Sequence, residues 1–188
     1  MKIGFDIDGV LIPSVKYVDQ LASERFGRLF QHTRYHSEDM FGVSKFESEF
    51  IASCFRPEVI GKITPHLDTI MLFHKIKIEH EVMILTSRIP DEKGLFYTYA
   101  QCLPFFETEP MFCNGRSKWE VLRDEGVELY VEDCYEYAKK IQDHGFTECL
   151  LLNTPYNRGF IHPYPKRNRI NSLSELPQAI EYFRKGAK

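Results

Sequence analysis

Asp6 and Asp8 stand one residue apart at the end of an apolar run, in the stretch KIGFDIDGVLIP from residue 2 to 13. Ile3, Phe5 and Ile7 mark a segment of the kind buried in a sheet, so the chain sets two like charges at the mouth of a buried strand. Carboxylates this close repel and raise the proton affinity of one of them unless a cation relieves them. The arrangement calls for a metal, a shared proton, or both. Magnesium suits it, being a hard ion that takes few carboxylates and completes its shell with water and a substrate phosphate. A calcium EF-hand loop is excluded: Val10 holds the fifth position, Leu11 stands where glycine is required, and the preceding element is a strand. Alone, the pair also reads as solvated acids in an ordinary strand-end loop.

Later strand ends supply further groups. VMILTSR ends in Thr86 and Ser87, whose hydroxyls and backbone N–H groups could hold phosphate oxygens. ELYVEDC ends in Glu132 and Asp133, a second acidic pair that reads either as metal ligands or as helix-start acids favoured by the dipole. Lys118 sits just inside a capping box, near a helix N-terminus where a cation is disfavoured by ~0.3–1 kcal/mol. A function is one reason for a lysine there, and a solvated surface position is the other.

These groups need a scaffold that brings strand ends together. Five apolar runs read as strands: residues 2 to 6, 81 to 85, 110 to 113, 128 to 131 and 148 to 153. Helical patterns rather than hairpin turns separate them, which predicts a parallel sheet covered on both faces. SKWEVLRDEG opens with Ser117 and Glu120 as a capping box and closes on Gly126, and CYEYAKKIQDHG closes on Gly145. The tail is expected to form a helix capped by Ser174, with Pro177 harmless in its first turn. Residues 14 to 80 break the rhythm. Val15, Val18, Leu21, Ala22 and Phe26 recur at helical spacing, Ser44 and Glu47 form another capping box, and Thr64-Pro65 starts a third helix. In an open parallel sheet, ligands bind beyond the carboxyl ends of the strands where the strand order reverses.

The bulk properties fit one domain with a small insert. The chain has 188 residues, 43% of them apolar and 27% charged, and its formal charge of −3 gives no electrostatic case for a nucleic-acid polymer or a membrane surface. The five cysteines are widely spaced and never paired as C-x-x-C, so reduced, buried thiols are expected rather than a disulfide framework or a zinc site. The opening run enters a strand at once and is interrupted by Asp6, and no segment approaches the ~18 apolar residues of a membrane span. The chain therefore reads as cytoplasmic.

In its motifs the sequence resembles the haloacid dehalogenase-like phosphohydrolase superfamily. DIDGV matches the first motif, D-x-D-G-[TV]; MILTS matches the second; Lys118 and YVEDC fit the third and fourth by order and context. The resemblance implies an α/β, Rossmann-like three-layer domain with a five-stranded, mainly parallel sheet. Residues 1–13 and 81–188 would form the core, with a small helical cap at 14–80. It further implies Asp6 as nucleophile and Asp8 as acid and base, with Thr86, Ser87 and Lys118 binding the phosphate. Mg2+ would lie on Asp6, the Asp8 carbonyl and the acidic pair Glu132 and Asp133. An acid at position 8 favours phosphatases or mutases over the ion-pumping and dehalogenating relatives. Within the superfamily the chain is similar to the 5'(3')-deoxyribonucleotidases and their bacterial relatives, through LTSRIP, LLLNTPYNRG and RINSLSELPQAI. That group carries two aspartates in its fourth motif, where this chain has Glu132 before Asp133.

The implied substrate is a small phosphorylated molecule, a nucleoside monophosphate first and a sugar phosphate or similar metabolite second. A catalytically silent phosphate-binding domain is the reading from another class, and a homodimer is compatible with all three. Phe30, Tyr35 and Phe41 are the candidates to stack on a base, whereas Phe46, Phe50 and Phe55 follow helical spacing and are expected in the core. Arg88 and Arg158, on loops after strands, could touch a phosphate or base but are expected rather in surface pairs, and the run from Lys166 to Arg169 in a solvated turn. The seven histidines form no ligand-spaced cluster.

Overall fold

The computed structural model describes residues 1–33, 40, 42–158 and 168–185. Six parallel strands form one sheet: β1 (Lys2–Phe5), β2 (Glu81–Thr86), β3 (Pro110–Phe112), β4 (Leu129–Glu132), β5 (Glu148–Leu152) and β6 (Arg169–Ile170), in the order β3-β2-β1-β4-β5-β6. β1 is central, hydrogen-bonded to β2 on one side and β4 on the other. Strand order reverses there, so Asp6 emerges at the switch point.

The five expected strands are present, and β6 is a sixth. It has only two residues, too short to leave a periodic pattern, and it pairs with Leu151 and Leu152 of β5. Of the run expected in a solvated turn, the two described residues are held by the fold. Asn168 is fully buried, and Arg169 donates to Asn153 at 2.7 Å and to Asn157 at 3.2 Å; Lys166 and Arg167 lie outside the described residues.

The faces of the sheet alternate with period 2. Ile3, Phe5, Ile84, Leu129, Val131 and Leu150 pack on one side with Phe73 and Ile76 of α4 (Leu67–Glu79), Cys102 and Phe106 of α5 (Glu92–Phe106), and Leu176 and Ile180 of α8 (Leu176–Arg184). Met83, Leu85, Tyr130, Cys149 and Leu151 meet α6 (Lys118–Asp124) and α7 (Tyr135–His144) on the other. Gly4 is needed where Tyr130 lies against β1: a Cβ there would come within 2.7 Å of the Tyr130 ring. The helix tail differs slightly from expectation. Ser172 rather than Ser174 offers the capping oxygen, to a short 3-10 turn at Leu173–Glu175 that leads into α8. All five cysteines are free and buried. Among the described residues, no helix is long and apolar enough to cross a membrane.

Between β1 and β2 lie α1 (Ser14–Phe26), α2 (Lys45–Cys54), the short α3 (Pro57–Ile60) and α4. The first three share their own apolar cluster, built on Val18, Ala22, Phe30, Ile51, Cys54 and Ile60. α4 instead packs on the sheet, which matches a third helix leading back into it. Phe46 is not core: it is 61% exposed, meeting Phe26 only at its edge.

Candidate active site

The loop after β1 is built from backbone bonds that leave its carboxylates at the sheet end. Asp6 N–H donates to the Val131 carbonyl at 3.0 Å, while Leu11 and Ile12 N–H fold back onto the Ile7 carbonyl. Gly9 has φ +84°, and a Cβ there would overlap the carboxylate of Asp133 and approach the Tyr156 hydroxyl. Its missing side chain is the space in which Asp133 sits.

Three strand ends converge on one cavity of about 430 Å3, whose floor carries Asp6, Asp8, Thr86, Ser87, Lys118 and Asp133. Lys118, the first residue of α6, turns inward and is buried; its ammonium donates to Asp6 at 2.8 Å and to Glu132 at 2.7 Å. Burial opposes its charge, but Asp6 and Glu132 outweigh that and hold its pKa well above the usual lysine value. Two hydrogen-bonded carboxylates thus offset the unfavourable helix end.

The acidic pair splits into two roles. The other oxygen of Glu132 accepts the backbone N–H groups of Asp133 and Cys134 at 3.1 and 3.0 Å, so both its oxygens are hydrogen-bonded and it anchors Lys118. Asp133 faces the cavity, accepting from the Tyr156 hydroxyl. Asn157 holds this loop, donating to the carbonyls of Asp133 and Leu152 at 2.7 Å each.

Arg88 is not a surface residue. Its side chain is 7% exposed, and it grips Asp8 with two donors, Nε and Nη2, both at 2.7 Å. Ser14 donates to the same carboxylate. Burial disfavours the charged form of Asp8, but Arg88 and then Ser14 overcome it and hold the carboxyl below its usual range. The third guanidinium nitrogen donates to Gln101 at 2.7 Å, and Gln101 in turn donates to the carbonyls of Ile60 and Ile63 at 2.7 and 2.8 Å. Nothing in the spacing of LTSRIP distinguishes this arginine from a solvated one.

Asp6 behaves oppositely. Burial first, and the neighbouring charges of Glu132 and Asp8, outweigh Lys118 and push its carboxyl up to about 7. Burial, Glu132 and Asp6 likewise raise Asp133. The carboxylates Asp6, Asp8, Glu132 and Asp133 face the two cations Lys118 and Arg88, an excess of negative charge that a divalent cation would cancel. Oxygens of Asp6, Glu132 and Asp133 lie within 4.8 Å of one another, and an all-oxygen donor set suits magnesium. The residues therefore fit that ion.

Thr86, Ser87 and Lys118 line the cavity as expected, and Thr86 accepts the Arg88 N–H at 3.1 Å. Arg158 is exposed. Phe30 is 4% exposed and packed within the helical insert rather than on the cavity, while Tyr35 and Phe41 lie outside the described residues. Phe55, expected in the core, is partly buried against the apolar cluster of the insert and also lines the cavity. Val15, Ala52 and Ile60 complete an apolar roof, to which His32 is added.

The known proteins similar to this chain agree with that fold. No protein-family model matches the sequence. A protein of Halalkalibacterium halodurans described as a "putative nucleotidase" is 26% identical over 164 residues, which cover 84% of this chain and 82% of that protein. Among solved structures, a haloacid dehalogenase-like hydrolase of Streptococcus pneumoniae superposes with a TM-score of 0.62 at 13% identity, covering 97% of each chain. A haloacid dehalogenase-family hydrolase of Deinococcus radiodurans, solved with phosphate and sodium, gives 0.59 at 16% identity, covering 95% of this chain and 94% of the other.

Two outcomes are expected. In Arg88→Met, burial acts on Asp8 without its guanidinium, so its titration midpoint, followed by carboxyl 13C NMR, moves up; an unmoved midpoint would assign the depression to Ser14 alone. Because folding raises Asp6 from 3.8 to about 7, its contribution is full below the unfolded value and is lost as pH rises through 7. A divalent cation would bind the ionised form, so the gain in Tm on adding Mg2+ should grow between pH 5 and 8, towards the shift that corresponds to ~2–3 kcal/mol of stability at a hundredfold excess over Kd. A gain independent of pH would detach Asp6 from the ion.

Proposed function

We propose that this chain, which has the haloacid dehalogenase-like fold, is a Mg2+-dependent phosphomonoesterase acting through an aspartyl-phosphate on Asp6. The observation that supports this most is the convergence of Asp6, Asp8, Thr86, Lys118 and Asp133 on one cavity, with Lys118 bonded directly to Asp6.

In this reading a carboxylate oxygen of Asp6 attacks phosphorus in line, the ester P–O bond breaks, and the leaving oxygen takes a proton from Asp8. Water then attacks the aspartyl-phosphate, Asp8 removes its proton, and the bond from phosphorus to Asp6 breaks to release phosphate. Lys118 and Thr86 offset charge on the equatorial oxygens. Asp6, Asp133 and the Asp8 carbonyl would hold Mg2+, which when bound supplies positive charge against the phosphoryl oxygens. Glu132 is then a positioning residue for Lys118. Arg88 keeps Asp8 ionised, as the second step requires; for the first, the incoming phosphate competes for the guanidinium, and Asp8, freed of it, takes up from solvent the proton that it then gives to the leaving oxygen.

We take residues 14–80 as the cap over a core of 1–13 and 81–188, with α4 as its returning limb, and the five buried free thiols as suited to the cytoplasm. A cavity of about 430 Å3 suits a nucleoside monophosphate, and small-molecule sites span roughly 300–1,000 Å3. Its lining has two parts, a charged floor for phosphate and a mainly apolar roof of Val15, Ala52, Phe55 and Ile60 for an organic leaving group. A sugar phosphate would leave several hydroxyls against those apolar side chains. The description of the Halalkalibacterium relative as a nucleotidase points the same way. A silent domain would have no need of an acid beside the nucleophile.

Hydrolysis of p-nitrophenyl phosphate with and without Mg2+, followed by a panel of nucleoside and sugar phosphates, tests the reading. Asp6→Asn should lower kcat by about 10^4 or more without unfolding the protein. Asp8→Asn should slow formation and breakdown of the phosphoenzyme alike, by about 10^2–10^4. Normal turnover in the first variant would end the covalent route; a normal rate in the second would remove Asp8 from proton transfer.

A further inference from the structure

We propose that His32 is a specificity-determining residue of this site, accepting a hydrogen bond from an N–H or O–H donor on the nucleoside leaving group. This rests on the phosphomonoesterase reading and deepens it. His32 lies beyond α1 and is 2% exposed. Asp19 of α1 holds it twice: the carboxylate accepts the backbone N–H of His32 at 3.0 and 3.1 Å, and it also binds Nδ1 of the ring. A carboxylate only accepts, so the bond to Asp19 selects the tautomer with its proton on Nδ1, in which Nε2 is an acceptor.

That atom is buried and has no partner among the described residues. Buried polar groups are nearly always satisfied, and an orphan one is expensive to keep unless something meets it in the working state. Among the described residues lining the cavity, His32 is the one with such an atom. It lines the same cavity as Asp6 and Asp8, together with Val15, Ala52, Phe55 and Ile60, which can offer a leaving group apolar contact only. Nε2 is shielded from water in this arrangement, so the donor reaches it as the leaving group displaces the roof around it. Phe55, which meets the imidazole edge-on at a centroid distance of 6.0 Å and lines the cavity, is positioned to give way.

Two substitutions separate recognition from a merely structural pair. His32→Asn keeps an N–H near Nδ1 for Asp19 and removes the atom at Nε2; His32→Gln places an amide near Nε2 and loses the bond to Asp19. The readout is kcat/KM for nucleoside monophosphates divided by kcat/KM for p-nitrophenyl phosphate, whose leaving group carries no N–H or O–H. Thermal midpoints of both variants establish that they are folded. His32→Asn should lower the ratio about tenfold or more, and His32→Gln should keep it within about threefold. The reverse order would assign His32 to holding its loop on Asp19, and an unchanged ratio in both would overturn the proposal. Should the wild-type enzyme hydrolyse neither substrate, the phosphomonoesterase reading falls by itself. The proposal is then judged by the 15N shift of His32 Nε2 on adding a nucleoside to Asp6→Asn: an upfield shift sustains it, and a fixed resonance ends it.

Discussion

The structure depends on keeping concentrated negative charge out of water. Asp6, Glu132 and Asp133 are all below 10% exposed, at the end of a sheet whose two faces are apolar. Isolated carboxylates there would be prohibitively costly, so each is tied to a donor. Lys118 bridges Asp6 and Glu132, backbone N–H groups take the rest of Glu132, and Tyr156 donates to Asp133. The donors come from α6, the loop after β5 and the residues that follow β4, so the cluster also pins the ends of elements far apart in sequence. Removing one member would leave its partner buried and unpaired.

Asp6 and Asp8 illustrate how environment separates two identical side chains. Both are carboxyls on one loop, yet Asp6 is pushed up by burial and its acidic neighbours while Asp8 is held down by Arg88 and Ser14. Opposed affinities at neighbouring groups are what a site needs when one carboxylate bonds to the reactant and the other handles its protons. The helical insert completes the arrangement by setting an apolar roof over a charged floor.

The residues that sequence reading found were those with strand-end position as a signal. Asp6, Asp8, Thr86, Ser87, Glu132 and Asp133 each follow an apolar run, and parallel topology brings such ends together without further information. Lys118 was legible through its awkward place at a helix start. What stayed hidden depended on tertiary proximity. Arg88 looks like any loop arginine until the fold sets Asp8 beside it, and Tyr156 has no local pattern linking it to Asp133. His32 was passed over because a ligand search looks for clusters, whereas its partner is a single aspartate on the preceding helix. Phe46 was expected in the core and is exposed, because helical period identifies a face but not what lies opposite. β6 was missed because two residues carry no period.

The amide of Gln101 joins regions that would otherwise be independent. One end holds the carbonyls of Ile60 and Ile63, which belong to the inserted helices and the chain leaving them, and the other holds the arginine that grips Asp8. Any swing of those helices away from α5 must strip this side chain of its acceptors and loosen its hold on the guanidinium. By reciprocity, an anion that draws the guanidinium away weakens the tether on the helices. Hinge motion and proton inventory would then be two readings of one equilibrium, with a neutral side chain remote from phosphorus acting as the coupling rod.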